Sequence, residues 1–272
     1  MSPKKDISTE DFSKMTSYLA EKYGLHFKPE KVTMLESRFL KRLNALHIEN
    51  FKQYLDYVFS GKNNEEYKFF IDLVTTHKTS FFREQYQFDY LKSILPDFAK
   101  RRINIWSAGC STGEEVYTLG MLLNEEKSNL NSLDYKIVGT DVSVPALKKA
   151  AKGTYTNTEL MGVSDSLKRK YFKKTLVGNI EALKFNNAEI TSKIKLGVLN
   201  LNNKTYNLTD TFDFIFCRNV IIYFSAETQR KVLQKLINKL KPGGLLFLGH
   251  SETAIGTNLP LKSIKPTIYQ KL

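Results

Sequence analysis

The chain of 272 residues is 42% hydrophobic and 25% charged, an ordinary globular composition that excludes disordered and fibrous classes. Its two cysteines, Cys110 and Cys217, exclude a disulfide-dense secreted scaffold, and no run of about 18 apolar residues offers a transmembrane helix. The net charge is +13, with 12 Lys and Arg against 4 Asp and Glu between residues 142 and 204. Such a field suits an acidic partner, whether nucleic acid, anionic membrane or protein, and equally suits solvated lysines. Met1 to Asp6 shows no apolar stretch after its lysines, so no signal peptide is read and a cytoplasmic protein is expected.

The first 95 residues predict helix after helix. Ser8 with Asp11 reads as a cap, Phe12, Met15, Tyr18 and Leu19 share a face, and Gly24 is a stop. Pro29 suits the first turn of a second helix, whose buried stripe is Leu35, Phe39, Leu43 and Leu46. On another face Arg38, Lys41 and Arg42 cluster at i, i+3 and i+4. Phe51, Tyr54, Leu55, Val58 and Phe59 predict a third helix, and Tyr67, Phe70, Ile71 and Val74 a fourth.

After Arg102 the pattern changes to strands alternating with helices, which predicts parallel pairing in a three-layer α/β sheet. Strands are expected at 103–109, 136–141, 212–217 and 245–249, with helices at 114–126, 144–151 and 226–240, the last ended by Pro242-Gly243-Gly244. Weak strand pieces around Gly178-Asn179 predict a small antiparallel insert at about 171–197. The division expected is a helical domain over 1–85 and an α/β domain over 86–272.

The turn after the first strand narrows the cofactor class. Ala108-Gly109-Cys110-Ser111-Thr112-Gly113-Glu114-Glu115 lacks the G-x-G-x-x-G spacing of a dinucleotide fold and carries two carboxylates where phosphate would sit. Carboxylates there tolerate an ammonium or sulfonium group, which points to S-adenosylmethionine. Asp141 closes the next strand, where an acid can accept ribose hydroxyls. An α/β sheet without any nucleoside stays open on these residues alone.

Longer strings are more specific. Thr75-Thr76-His77-Lys78-Thr79-Ser80-Phe81-Phe82-Arg83-Glu84 resembles the segment joining the two domains of the chemotaxis receptor methyltransferases, the CheR family. Ile105 to Glu115 resembles that family's cofactor loop, and Gly139-Thr140-Asp141, Phe216 to Phe224 and Leu248-Gly249-His250-Ser251-Glu252 continue the likeness in order. The resemblance covers residue 10 to the end. It implies a Rossmann-like S-adenosylmethionine-dependent methyltransferase sheet, S-adenosylhomocysteine as product, and O-methylation of glutamates on the cytoplasmic helices of chemotaxis receptors. Carried over residue by residue, it implies cofactor contacts at His77, Thr79, Arg83, Gly109, Glu115, Asp141, Asn200, Leu201, Arg218 and Asn219. His77 stands where the family usually has asparagine, and imidazole cannot match an amide's paired hydrogen bonds.

The implied chemistry needs few parts. A glutamate carboxylate, with a reference pKa of about 4.3, is already ionised at neutral pH, so no general base is required. Arg83 is the candidate to orient it, because a guanidinium fork matches a carboxylate, and Tyr223 is a candidate to aim a hydroxyl at the same place. The four histidines are too scattered for a metal site, both cysteines read as packing, and Trp106 as core. Two substrate surfaces compete. The Arg38, Lys41 and Arg42 stripe resembles the family's receptor-gripping helix, while Lys168, Arg169, Lys170, Lys173 and Lys174 border an insert that takes a receptor tail in some members. Nucleic-acid methylation lacks its motif, a binding module with another partner or weak turnover is the alternative, and a monomer is expected.

Overall fold

The computed structural model describes residues 6–98, 101–130 and 132–272. The N-terminal part folds as α1 (Thr9–Tyr23), a 3-10 turn over Pro29–Lys31, α2 (Val32–Ala45), α3 (Phe51–Phe59) and α4 (Asn64–Val74). Ser8, Asn50 and Asn63 each accept a backbone N–H three residues on, satisfying one orphan donor at a helix start. Gly24, at φ 72°, closes α1 in the left-handed conformation. The four apolar stripes meet in one core, where the Phe39 ring lies 5.0 Å from Phe51 and 5.9 Å from Phe70.

The chain continues through α5 (Gln85–Phe98), β1 (Ile103–Ala108), α6 (Glu114–Glu126), β2 (Tyr135–Asp141) and α7 (Val144–Lys152). Next come β3 (Thr154–Thr156), α8 (Asp165–Tyr171), β4 (Phe172–Val177), β5 (Ile180–Phe185) and α9 (Ala188–Lys193). It ends with β6 (Ile194–Val198), β7 (Phe212–Cys217), α10 (Ala226–Lys239), β8 (Leu240–Leu248), β9 (Leu261–Lys265) and β10 (Ile268–Lys271). Seven strands form one sheet in the order β6-β2-β1-β7-β8-β10-β9, parallel except where β10 pairs antiparallel with β8 and β9. Alternation along β7 serves two layers: Phe214 and Phe216 face α5 and α6, while Ile215 and Cys217 face α10. Among the described residues no helix is long and apolar enough to cross a membrane.

Two expected boundaries move. The small sheet has the order β3-β5-β4 and therefore reaches back to Thr154, while Ile194–Val198 belongs to the large sheet, parallel to β2. Only the β4–β5 hairpin, turning at Gly178 (φ 59°), falls where the turn signal placed it. Pro242-Gly243-Gly244 does not end α10. Leu240 is already paired with Phe212, and the three residues form an irregularity within β8 before Leu245 pairs with Phe214.

Contacts from the far side of the sequence fix the helical part against the sheet. Asn200 Nδ2 donates to the Lys22 carbonyl at 2.9 Å and Asn202 Nδ2 to the Glu21 carbonyl at 3.0 Å, so the β6–β7 connection caps the end of α1. The His26 N–H donates to the Tyr223 carbonyl at 2.9 Å.

Candidate active site

A cleft of about 460 Å³ opens at the carboxyl ends of β1, β2 and β7, with the helical part as its roof. This is where open α/β sheets bind ligands. Its floor is the glycine turn. Gly109 sits at φ 90°, and a Cβ there would come within 2.4 Å of Val220 Cγ2, so the position admits no side chain. The N–H groups of Gly109 and Cys110 both donate to the Thr140 carbonyl, at 2.7 and 2.9 Å, tying the turn to β2.

That tie orients Asp141. Its Oδ2 accepts the Ser111 N–H at 2.8 Å and its Oδ1 the Ser143 N–H at 2.9 Å. Each carboxylate oxygen retains a lone pair for a further donor, as a ribose diol requires. Burial pushes the Asp141 carboxyl above its ordinary value, and the backbone donors and His77 oppose that rise.

Glu115 forms the second wall. Ser107 Oγ donates to its Oε1 at 2.6 Å and Arg218 Nη1 to its Oε2 at 3.0 Å. Arg218 is buried, reaches Glu84 Oε2 at 3.3 Å, and donates to the Arg83 carbonyl. It therefore serves the cleft through Glu115 and Glu84, and its guanidinium lies 5.3 Å from the Phe88 ring centre. Phe82 and Glu84 adopt φ 55° and 58° on either side of Arg83, whose carbonyl Arg218 holds.

Glu252 organises the third wall. Its Oε2 accepts N–H groups of Asn219 at 2.8 Å and Gly249 at 2.6 Å. Its Oε1 accepts those of Val220 and Ile221, both at 2.8 Å, and of Ile222 at 3.3 Å. One buried carboxylate thus shapes the strained turn at Asn219 (φ 58°) and the 3-10 turn Ile221–Tyr223 that carries Tyr223 into the cleft.

At the roof, His77 Nε2 lies 2.9 Å from both Thr75 Oγ1 and Asp72 Oδ1, and Nδ1 lies 3.4 Å from Ser111 Oγ. Arg83 Nη1 donates to the Lys78 carbonyl at 2.7 Å, and its side chain is 34% exposed at the cleft. Thr79, Asn200, Leu201 and Asn219 line the same cavity. Both thiols are buried, and burial pushes each well above its ordinary pKa, so they act as packing. Trp106 is fully buried and donates to Thr140 Oγ1 at 2.9 Å.

All ten expected cofactor positions and Tyr223 therefore surround one cleft. The expected substrate stripe divides. Arg38 lines the cleft and also donates to the carbonyls of Leu73 and Thr75 at 2.9 and 2.8 Å, which pins the end of α4. Arg42 forms a forked pair with buried Glu66, which also accepts from Tyr54 at 2.8 Å. Lys41 remains exposed, away from the cleft. The lysines at the cleft mouth are Lys28, Lys31 and Lys78, each exposed and without a carboxylate partner among the described residues. Isolated in sequence, they carried no motif signal. Glu84 and Glu252 lie inside the motif strings, but Arg218, which meets Glu84, and the Asn219–Ile222 N–H groups, which meet Glu252, are remote in the chain.

The donor set suits S-adenosylmethionine. Carboxylates of Glu115 and Asp141 face the cleft, and the N-terminus of α6 holds Glu114, buried and accepting from Thr112 Oγ1 at 2.7 and 2.9 Å, where a phosphate would require positive charge.

Comparison with known proteins agrees. Residues 77–269 match the family model for the CheR methyltransferase, SAM binding domain, and residues 10–75 that for the CheR methyltransferase, all-alpha domain. The chain is 33% identical to a chemotaxis protein methyltransferase of Borreliella burgdorferi, covering 98% of this chain and 95% of that one. It is 34% identical to those of Salmonella typhimurium and Escherichia coli, covering 90% of this chain and 84% and 85% of theirs. The chain belongs to the CheR family of S-adenosylmethionine-dependent chemotaxis methyltransferases.

Proposed function

We propose that this protein methylates glutamate side-chain carboxylates on the helical cytoplasmic regions of chemoreceptors. The observation that carries this reading is the cleft mouth, whose lining holds Arg83 and Tyr223. His77 has its ring nitrogens engaged by Asp72, Thr75 and Ser111. A carboxylate acceptor needs no proton removed at neutral pH, so orientation and exclusion of water suffice. When bound, S-adenosylmethionine supplies a methyl group activated on a sulfonium. Arg83, with Nη1 given to the Lys78 carbonyl and Nε 4.0 Å from Glu84 Oε1, orients the acceptor through its remaining guanidinium donors, and Tyr223 directs its hydroxyl to the same region.

Lys28, Lys31 and Lys78 at the mouth, with Lys41 further out, meet the acidic face of the receptor helix. β4 is an edge strand of the small sheet, which leaves its backbone open to a receptor tail by strand addition. The test is transfer of labelled methyl from S-adenosylmethionine to purified receptor cytoplasmic fragments, followed by mild base. Base-labile label on receptor glutamates is the expected result. Base-stable label, or none, sinks the reading.

A further inference from the structure

The crossover from β6 to β7 runs through residues 199–211 without a helix. Parallel crossovers normally carry one, which covers the sheet face beside them. Here alternate residues of β2 and of the edge strand β6 line that side of the sheet. Lys136, Val138 and Thr140 stand on β2 and Lys195 and Gly197 on β6, with Val138 opposite Lys195 and Thr140 opposite Gly197. Between this face, the end of α1, the middle of α4 and the 203–210 segment lies a groove of about 750 Å³. That volume falls within the range of roughly 300–1,000 Å³ usual for ligand sites.

The charge of the groove is one-sided. Lys22 from α1, Lys68 from α4, Lys136 from β2 and Lys195 from β6 line it, against the single carboxylate of Asp210. Asp210 is paired with Lys136, and Lys68 with Glu65 outside the groove. Lys22 and Lys195 have no carboxylate partner among the described residues. The apolar part of its lining includes Ile71, Val138 and Tyr206. Ammonium groups from four separate elements around one groove match several negative charges carried on one compact ligand.

We propose that this groove is a second ligand site, distinct from the cofactor cleft, and that it binds a polyphosphate anion. A nucleoside polyphosphate and an inorganic polyphosphate share the charge that the lysines recognise, and only the nucleotide also uses the apolar lining. The two cavities share a wall of Tyr23, Val142, Leu199 and Asn200. Asn200 holds the carbonyl of Lys22, so an anion that engages Lys22 bears on the wall that the cofactor touches.

The test is calorimetric titration of the full chain at low salt with ATP and, separately, tripolyphosphate, the cofactor cleft being kept saturated with S-adenosylhomocysteine. Saturable one-to-one binding of at least one probe is expected. Tighter binding of ATP assigns the nucleotide, and equal binding assigns the phosphate chain alone. The double variant Lys22→Glu, Lys195→Glu should weaken binding at least tenfold while keeping its melting temperature. The same reversal at Lys173 and Lys174, equally basic but on the hairpin, should change it less than twofold. Absence of saturable binding overturns the proposal, as does equal weakening by the two double variants. A polyglutamate peptide that binds where both phosphate probes fail also overturns it, and assigns the groove to an acidic protein segment.

Discussion

His77 Nε2 lies 2.9 Å from Asp72 Oδ1, so His77 grips the last turn of α4. Asp72 also accepts from Ser143, the cap of α7, and His77 Nδ1 approaches Ser111 of the glycine turn. The pair joins the helical part to two corners of the cofactor cleft. Burial alone would push the imidazole below its ordinary value of 6.5, but Asp72 and Asp141 outweigh burial and raise it.

The sign of the pH effect follows. A histidine whose folded pKa is raised contributes stability that is fully present below its unfolded value of about 6.5. That contribution is lost as pH rises through the higher folded value. Relative to His77→Asn, the wild type should therefore lose melting temperature as pH climbs from about 6.5 into the weakly alkaline range. Parallel melting profiles for the two proteins between pH 6 and 9 would rule the ion pair out as a stabilising contact.

Asp141 and Arg83 should separate binding from turnover. Asp141→Ala is expected to weaken S-adenosylhomocysteine by about 1.5–3 kcal/mol, the scale of hydrogen bonds to a charged group. Arg83→Ala should lower kcat much more than receptor affinity, and Arg83→Lys should rescue poorly because a point charge lacks the fork. Product affinity in the Arg83 variants, measured by the same calorimetry, tells whether the loss lies in cofactor binding. Unchanged affinity in Asp141→Ala, or unchanged turnover in Arg83→Ala, removes the corresponding role.

Glu252 makes a sharper case for positioning without contact with the reacting atoms. Glu252→Gln turns an amide N–H₂ toward backbone donors that now face a carboxylate, and each buried group left unpaired costs about 1–3 kcal/mol. The turn carrying Tyr223 should relax, lowering kcat at least tenfold at a temperature where the variant is still fully folded. Circular dichroism and rate measurements on one sample decide this. A rate that falls only in step with the folded fraction would leave Glu252 a purely structural anchor.

Much of this site was legible because its residues sit in contiguous strings whose order is diagnostic, and the helical part because each stripe repeats at 3.6 residues. What was illegible depends on pairing across distance. β3 has three residues, too few for alternation to register, and exists only because Tyr155 pairs with Leu183 on β5. Pro242-Gly243-Gly244 reads locally as a helix stop, yet the partner strand β7 draws it into a bulge. The spacing of Arg38, Lys41 and Arg42 shows a shared helix face but cannot show that α4 brings Glu66 and two bare carbonyls against it.

That last difference changes how receptor docking must be tested. Reversing Arg38 and Arg42 to glutamate is the obvious probe of a basic stripe, but both side chains also hold contacts within the helical part. Removing Arg42 strands the Glu66 carboxylate, only 2% exposed, with Tyr54 as its remaining side-chain donor. Breaking a buried pair costs about 3–5 kcal/mol, and because Arg42 is itself 27% exposed the cost here should be nearer about 2–3 kcal/mol. Slow methylation by that variant would thus report a weakened fold. Lys28, Lys31 and Lys78 have no such duty, since they are exposed at the cleft mouth and free of carboxylates among the described residues. Reversing these three to glutamate should leave the melting temperature within about 2 °C, a shift under about 1 kcal/mol for a chain this size. It should also slow receptor methylation strongly at low salt, with the deficit narrowing as added salt screens the field. S-adenosylhomocysteine affinity, measured alongside, should stay within a few fold. If the triple reversal methylates receptor fragments at the wild-type rate in low salt, these three lysines do not steer the substrate, and docking must lie at Arg38, Lys41 or the small sheet.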